Sequence, residues 1–126
     1  MTRGRMKVLS GLAVIFVAAL HAAFLTLEMF FWDHPVGRKI FSMTEEQSAN
    51  SAILAANQGL YNGFLAAGLL WGLIARRRDV QIFFLLCVIV AGVYGGATAK
   101  PTIWLTQAAP GVVALLLVLA AGWRRP

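Results

Sequence analysis

Apolar residues run through this chain in four long stretches, and most polar residues collect between them. The stretches cover approximately Val8–Phe31, Ser51–Ile74, Val80–Thr98 and Thr102–Trp123. Crossing about 30 Å of hydrocarbon takes roughly 20 helical residues at 1.5 Å each, and all four reach or approach that length. An open strand would leave backbone groups unpaired in lipid, so the runs predict helices. The expected fold is all-α: a polytopic membrane protein, a bundle of four transmembrane helices forming a single domain over 1–126. No internal repeat or linker interrupts it.

The connections sharpen this picture. Arg76–Asp79 predicts a tight turn that makes the second and third helices antiparallel neighbours, and Lys100-Pro101 predicts another between the third and fourth. The one long connection runs from Asp33 to about Thr44. Its segment His34-Pro35-Val36-Gly37-Arg38-Lys39-Ile40-Phe41 mixes basic and apolar residues in a way that suits a bilayer surface. Thr44-Glu45-Glu46-Gln47 reads as a capping box, with Thr44 as N-cap and Gln47 at the third helical position. The second helix is therefore expected to begin in water and enter the membrane a turn or two later. Arg3, Arg5 and Lys7 precede the first run as they would in a signal peptide. That run is too long for a signal core, however, and Ala18–Ala23 offers no Ala-x-Ala cleavage pattern, so a retained helix is expected.

Charge sets the expected direction. Arg3, Arg5, Lys7, Arg76, Arg77, Arg78, Arg124 and Arg125 fall on one side, and Arg38, Lys39 and Lys100 on the other: eight against three. The richer side belongs in the cytoplasm, so both termini are expected there. Trp32 and Trp104 then lie near the outer ends of helices, and Trp71 and Trp123 near the inner ends, as an aromatic belt requires.

Composition agrees. Of the 126 residues 60% are hydrophobic and 13% charged, and the mean hydropathy is +0.74. A soluble domain carries roughly 45–50% apolar and about 25% charged residues. The formal charge of +6 could suggest nucleic acid, but the cations form short clusters between apolar runs rather than a basic stripe, which argues against that partner. The single cysteine, Cys87, excludes an internal disulfide and any multi-cysteine metal site.

Polar side chains inside the spans are the candidates for function, because each is expensive in lipid. His21 and Glu28 stand seven residues apart on the first helix, which returns them to one face about 10 Å apart along the axis. On the second helix Asn57 pairs with Tyr61, and Gln58 with Asn62, at i,i+4 spacing. Tyr94 and Thr98 on the third helix, and Thr102, Thr106 and Gln107 on the fourth, fall at comparable depth. All lie in the expected outer half, above an inner half read as almost purely apolar. Gly59-xxx-Gly63, Gly68-xxx-Gly72 and Gly92-xx-Gly95-Gly96 would let helices approach closely around them. The pattern predicts a polar pocket with Glu28 and His21 as acid–base groups and Asn57, Gln58, Tyr61, Asn62, Tyr94 and Gln107 as ligand-binding groups. The bland alternative is that these groups only hydrogen-bond between helices, at about 0.5–2 kcal/mol each.

At these residues the chain resembles a bacterial membrane-protein family, the domain of unknown function numbered 1304. Leu27-Glu28-Met29-Phe30, Trp32, Gly37-Arg38-Lys39, Phe41, the block Ala55–Gly68 containing Asn57-Gln58-Gly59-Leu60-Tyr61-Asn62-Gly63, and Gln107 with Pro110 carry the resemblance. It spans nearly the whole chain and implies a small four-span protein of the bacterial inner membrane with no assigned function.

Three functions compete. The first is binding, or isomerising, a small amphipathic or lipid-like molecule in the polar pocket. The second is a proton-coupled transporter working as a dimer. Glu28 lies close to the outer surface, though, and the strong charge bias does not suit chains that insert both ways. The third is a non-catalytic subunit or scaffold, with homo-oligomerisation open in each case. No phosphate loop, dinucleotide motif or activated nucleophile is present, so no cofactor is implied. A metal would need more ligands than His21 and Glu28, with His34 the third only if the outer loop folds inward.

Overall fold

Unbroken apolar runs give long helices. In the computed structural model, which describes residues 2–122, α1 spans Arg3–Phe30, α2 Pro35–Ile40, α3 Glu45–Ile74 and α4 Arg78–Thr98. A π-helical turn over Trp104–Ala108 then leads into α5, Ala109–Gly122. The expected spans map onto α1, α3, α4 and the π-turn with α5. The Trp123 belt position and the Arg124–Arg125 cluster lie outside the described residues.

Three of these helices are long and apolar enough to cross a membrane: Arg3–Phe30, Arg78–Thr98 and Trp104–Gly122, with mean hydropathies of 2.4, 2.2 and 1.9. Only 28% of each apolar window is buried by protein. Side chains such as Phe16, Leu105 and Leu116 stay more than half exposed, and an apolar surface of that kind needs lipid or a partner to cover it. The fourth expected span, α3, is the longest helix at 30 residues yet does not join the apolar set. Asn57, Gln58, Tyr61 and Asn62 interrupt its hydrophobicity at the centre, where the other three helices carry aliphatic residues.

By contact density the chain forms two compact units, Ala19–Ala66 and Met1–Ala18 with Ala67–Pro126. In the Ala19–Ala66 unit the second half of α1 packs on the first half of α3. The buried face of α3 carries Ser48, Ala55, Gly59, Asn62 and Ala66, an i,i+4,i+7 series that stays on one side of a helix. Gly59 sits against Met29 and the Glu28 Cβ, and Gly63 against the Leu25 side chain, so the Gly-xxx-Gly pair does bring the helices together. The connection is tied down by polar contacts. The Arg38 guanidinium and the Ser48 hydroxyl both donate to Asp33 Oδ1, at 3.0 and 2.8 Å. Trp32 Nε1 donates to Ser51 Oγ at 2.9 Å, with its ring stacked near Phe41. The capping box forms as expected: the Gln47 amide donates to Thr44 Oγ1 at 3.1 Å, and the Thr44 amide to Gln47 Oε1 at 2.9 Å.

The other unit has an aliphatic centre made of Val14 from α1, Leu69 from α3, Leu85 and Val88 from α4, and Ala114 and Val118 from α5, each at most 2% exposed. Glycine again sets the spacing: a Cβ on Gly92 would meet the Ala108 backbone, and one on Gly96 would meet the Trp104 indole. The α3–α4 turn closes as a tight reversal, with the Arg77 amide bonded to the Gly72 carbonyl at 2.9 Å and Arg76 in the left-handed region at φ 54°. The π-turn has a local cause. Pro110 has no N–H to offer the preceding turn, and its ring crowds the carbonyl four residues back. Widening that turn relieves the clash, as the Ala109 amide's bond to the Trp104 carbonyl shows.

Candidate functional site

Lipid offers a buried polar group nothing, so polar side chains in spans must find one another or be exposed for a reason. In the Ala19–Ala66 unit, Glu28 from α1 and Asn62 from α3 find one another. Asn62 Nδ2 donates to Glu28 Oε1 at 2.6 Å. Asn62 is 5% exposed, while Glu28 is half-buried. The contact depends on the glycines beside it, because Gly59 and Gly63 admit α1 close enough for an amide to reach a carboxyl. His21 lies two turns before Glu28 on the same helix and is fully buried, its ring edge-on to Phe24 at 5.2 Å. Buried side chains of this unit are thus polar to an unusual degree: His21, Ser48 and Asn62 beside only two alanines, Ala55 and Ala66.

The remaining candidates are placed differently. Asn57, Gln58 and Tyr61 lie on the exposed side of α3. Asn57 turns its amide back to the Ile53 carbonyl at 2.9 Å, which satisfies a donor within its own helix. Tyr61 is 63% exposed and stacks edge-on against Phe64. Tyr94 and Gln107 belong to the other unit. Tyr94 is 71% exposed, and Gln107 is half-buried within the π-turn. His34 caps α2, its Nδ1 accepting from the Val36 amide at 3.1 Å. Among the described residues, no three His, Cys, Asp or Glu side chains converge as a metal site would require.

Helical periodicity separates the two groups on α3. Asn62 shares a face with Gly59 and Ala55, whereas Asn57 and Tyr61 share the opposite one, a difference the run of polar letters hides. The half of the chain expected to be almost purely apolar also buries polar groups. Ser10 and Gln81 are buried there, at 7% and 9% exposure, and Gln81 Nε2 donates to the Gly72 carbonyl at 3.1 Å. The signal for Gln81 was its position, three residues into α4, where a span is still expected to be leaving water.

The match to the family model described as Protein of unknown function (DUF1304) covers residues 15–119. The chain belongs to this family. The matched segment includes Glu28, Asn62 and the whole α1–α3 connection. A curated relative, the uncharacterized protein YpaA of Lactococcus lactis subsp. lactis (strain IL1403), is 28% identical over 115 residues, covering 88% of this chain and 97% of its own length. No solved structure matches the chain.

Proposed function

We propose that this DUF1304 protein spans the inner membrane four times with both termini cytoplasmic, and binds a small amphipathic or lipid-like molecule at the Glu28–Asn62 pair in the outer half. The observation that carries this reading is the 2.6 Å bond between a half-buried carboxyl and a buried amide. A carboxylate has two oxygens and about four acceptor positions, and the Asn62 amide takes one. What is left is acceptor capacity in an apolar setting, suited to a hydroxyl or ammonium on a ligand whose tail stays in lipid. His21, fully buried two turns before Glu28 on α1, would hold the position of that helix or exchange protons with the same ligand.

Two measurements test the reading. With Cys87→Ala as background, Ser42→Cys should react with a membrane-impermeant thiol reagent from outside intact cells, and Arg77→Cys only after permeabilisation. Both reacting on the same side would show that α3 does not cross. Mass spectrometry of molecules that co-purify with the wild type should then reveal a bound species, which Glu28→Gln loses while its far-UV circular dichroism is unchanged. If Glu28→Gln, His21→Ala and Asn57→Ala all unfold in mild detergent instead, the polar groups are structural.

A second reading, a subunit that assembles with copies of itself, is favoured by the exposed side of α3. Asn50, Leu54, Asn57, Tyr61 and Phe64 are all exposed and alternate at spacings of four and three residues, the stripe of a left-handed helix pair. Copies inserted in one direction would place α3 beside α3 in parallel, so Asn57 would meet Asn57 at equal depth. An amide carries both donor and acceptor and is its own complement there.

A further inference from the structure

The unit containing α4 and α5 holds a cavity of about 550 Å³. Three cations from separate segments line it: Lys7 near the start of α1, Arg76 in the α3–α4 turn, and Arg78 at the start of α4. Ser10 and Gln81, the two buried polar side chains among the described residues of this unit, line it as well. No Asp or Glu is among the lining residues. The neighbouring acid, Asp79, is exposed and takes two hydrogen bonds from Arg77, at 3.0 and 2.8 Å. Arg78 is partly committed: its Nε and Nη2 donate to the Val118 and Leu119 carbonyls at 3.3 and 3.1 Å, which caps the negative end of α5. Arg78 still lines the cavity together with Lys7 and Arg76.

Orientation by positive charge alone needs cations near the membrane surface, and needs neither a cavity nor polar groups within it. We propose that this cavity seats the phosphate of an anionic ligand, with Lys7 and Arg76 as its counter-charges and Arg78, Ser10 and Gln81 as hydrogen-bonding groups. The setting favours the phosphodiester of an acidic phospholipid, because the cavity is lined from α1, α4 and α5, the helices long and apolar enough to cross a membrane. The proposal rests on the membrane reading above, but not on which side of the membrane the cavity faces.

The test uses the full chain purified in mild detergent, where binding is measured whatever the orientation. Native mass spectrometry and tryptophan fluorescence would follow titration with phosphatidylglycerol, phosphatidylcholine and inorganic phosphate in turn. One phosphatidylglycerol should be retained per chain, in preference to phosphatidylcholine. Lys7→Gln and Arg76→Asn should each weaken it about 5-fold, the equivalent of about 1 kcal/mol per cation, and Lys7→Arg should restore it. Arg77→Gln removes the same charge from a paired residue outside the cavity and should leave affinity within 2-fold. Competition by millimolar inorganic phosphate would make free phosphate the source of the ligand. An equal loss in Arg77→Gln and Arg76→Asn would overturn the proposal, as would unselective binding of both lipids or no binding by any probe. Failure of the labelling experiment would leave these outcomes unchanged, so the two readings fail separately.

Discussion

Truncating Asn62 should cost this protein more than its size suggests. In Asn62→Ala the donor to Glu28 Oε1 disappears, and the half-buried carboxyl loses that partner. A hydrogen bond to an acidic group contributes about 1.5–3 kcal/mol in soluble proteins. Interhelical bonds in membranes average about 0.6 kcal/mol and reach about 1.7, because the separated helices also find partners. The 2.6 Å length and the 5% exposure of Asn62 place this bond at the upper end of the membrane range, about 1–1.7 kcal/mol. The coupling is isolated by a cycle of Asn62→Ala, Glu28→Ala and the double variant, each unfolded reversibly by sodium dodecyl sulfate in mixed micelles. The double variant should be more stable than the sum of the single losses predicts, by that amount. Additivity within about 0.3 kcal/mol would show that the two side chains do not share a bond, and the reading of Glu28–Asn62 as the focus of the site would fall with it.

Three further outcomes follow from the packing. Thr44→Ala should remove one half of the capping box and cost about 1 kcal/mol, seen as faster hydrogen exchange at the Glu45–Gln47 amides with little change elsewhere. Gly92→Ala should cost about 1–3 kcal/mol in the same unfolding assay, since its Cβ would meet backbone atoms of Ala108 that no side-chain rotation can move. Gly11→Ala, whose Cβ would meet only Leu73 at an ordinary 3.7 Å, should change stability by less than about 0.5 kcal/mol. If the exposed stripe on α3 joins two copies, Asn57→Leu should change the mass of the detergent-solubilised particle or its resistance to dilution. An unchanged monomer in both proteins would remove that reading.

Much of the fold was legible because hydrophobic run length is a one-dimensional signal. Three of the four runs emerge as long apolar helices, and Thr44 with Gln47 marked the start of α3 without tertiary information. The site was less legible because contact depends on facing, and facing is set by glycine positions and helix phase together. Asn57 and Asn62 look alike as letters. One curls back to its own helix, and the other crosses to α1. The basic cavity was harder still, since Lys7, Ser10, Arg76, Arg78 and Gln81 come from three segments and each has a sufficient explanation alone: orientation, turn or cap.

The polar block that makes α3 interesting is also what keeps it out of the apolar set, and the two facts have one physical origin. A helix interrupted by Asn57, Gln58, Tyr61 and Asn62 is a poor candidate to cross lipid alone, because each unpaired amide there is costly. Pairing with α1 removes part of that cost, since Asn62 donates to Glu28, while Asn57 donates within its own helix to the Ile53 carbonyl. Gly59 and Gly63 hold the two backbones at the distance this pairing needs. A bulky residue at Gly59 would therefore act twice, driving Met29 and Leu25 away and pulling Glu28 out of reach of Asn62. The α1–α3 packing and the candidate site would then fail together in Gly59→Leu. Glu28→Gln, by contrast, keeps a hydrogen-bonding amide at the same place and should alter the site while leaving that packing intact. That separation would tie the polar groups to a ligand rather than to folding, because a purely structural network would not distinguish the two variants by binding alone.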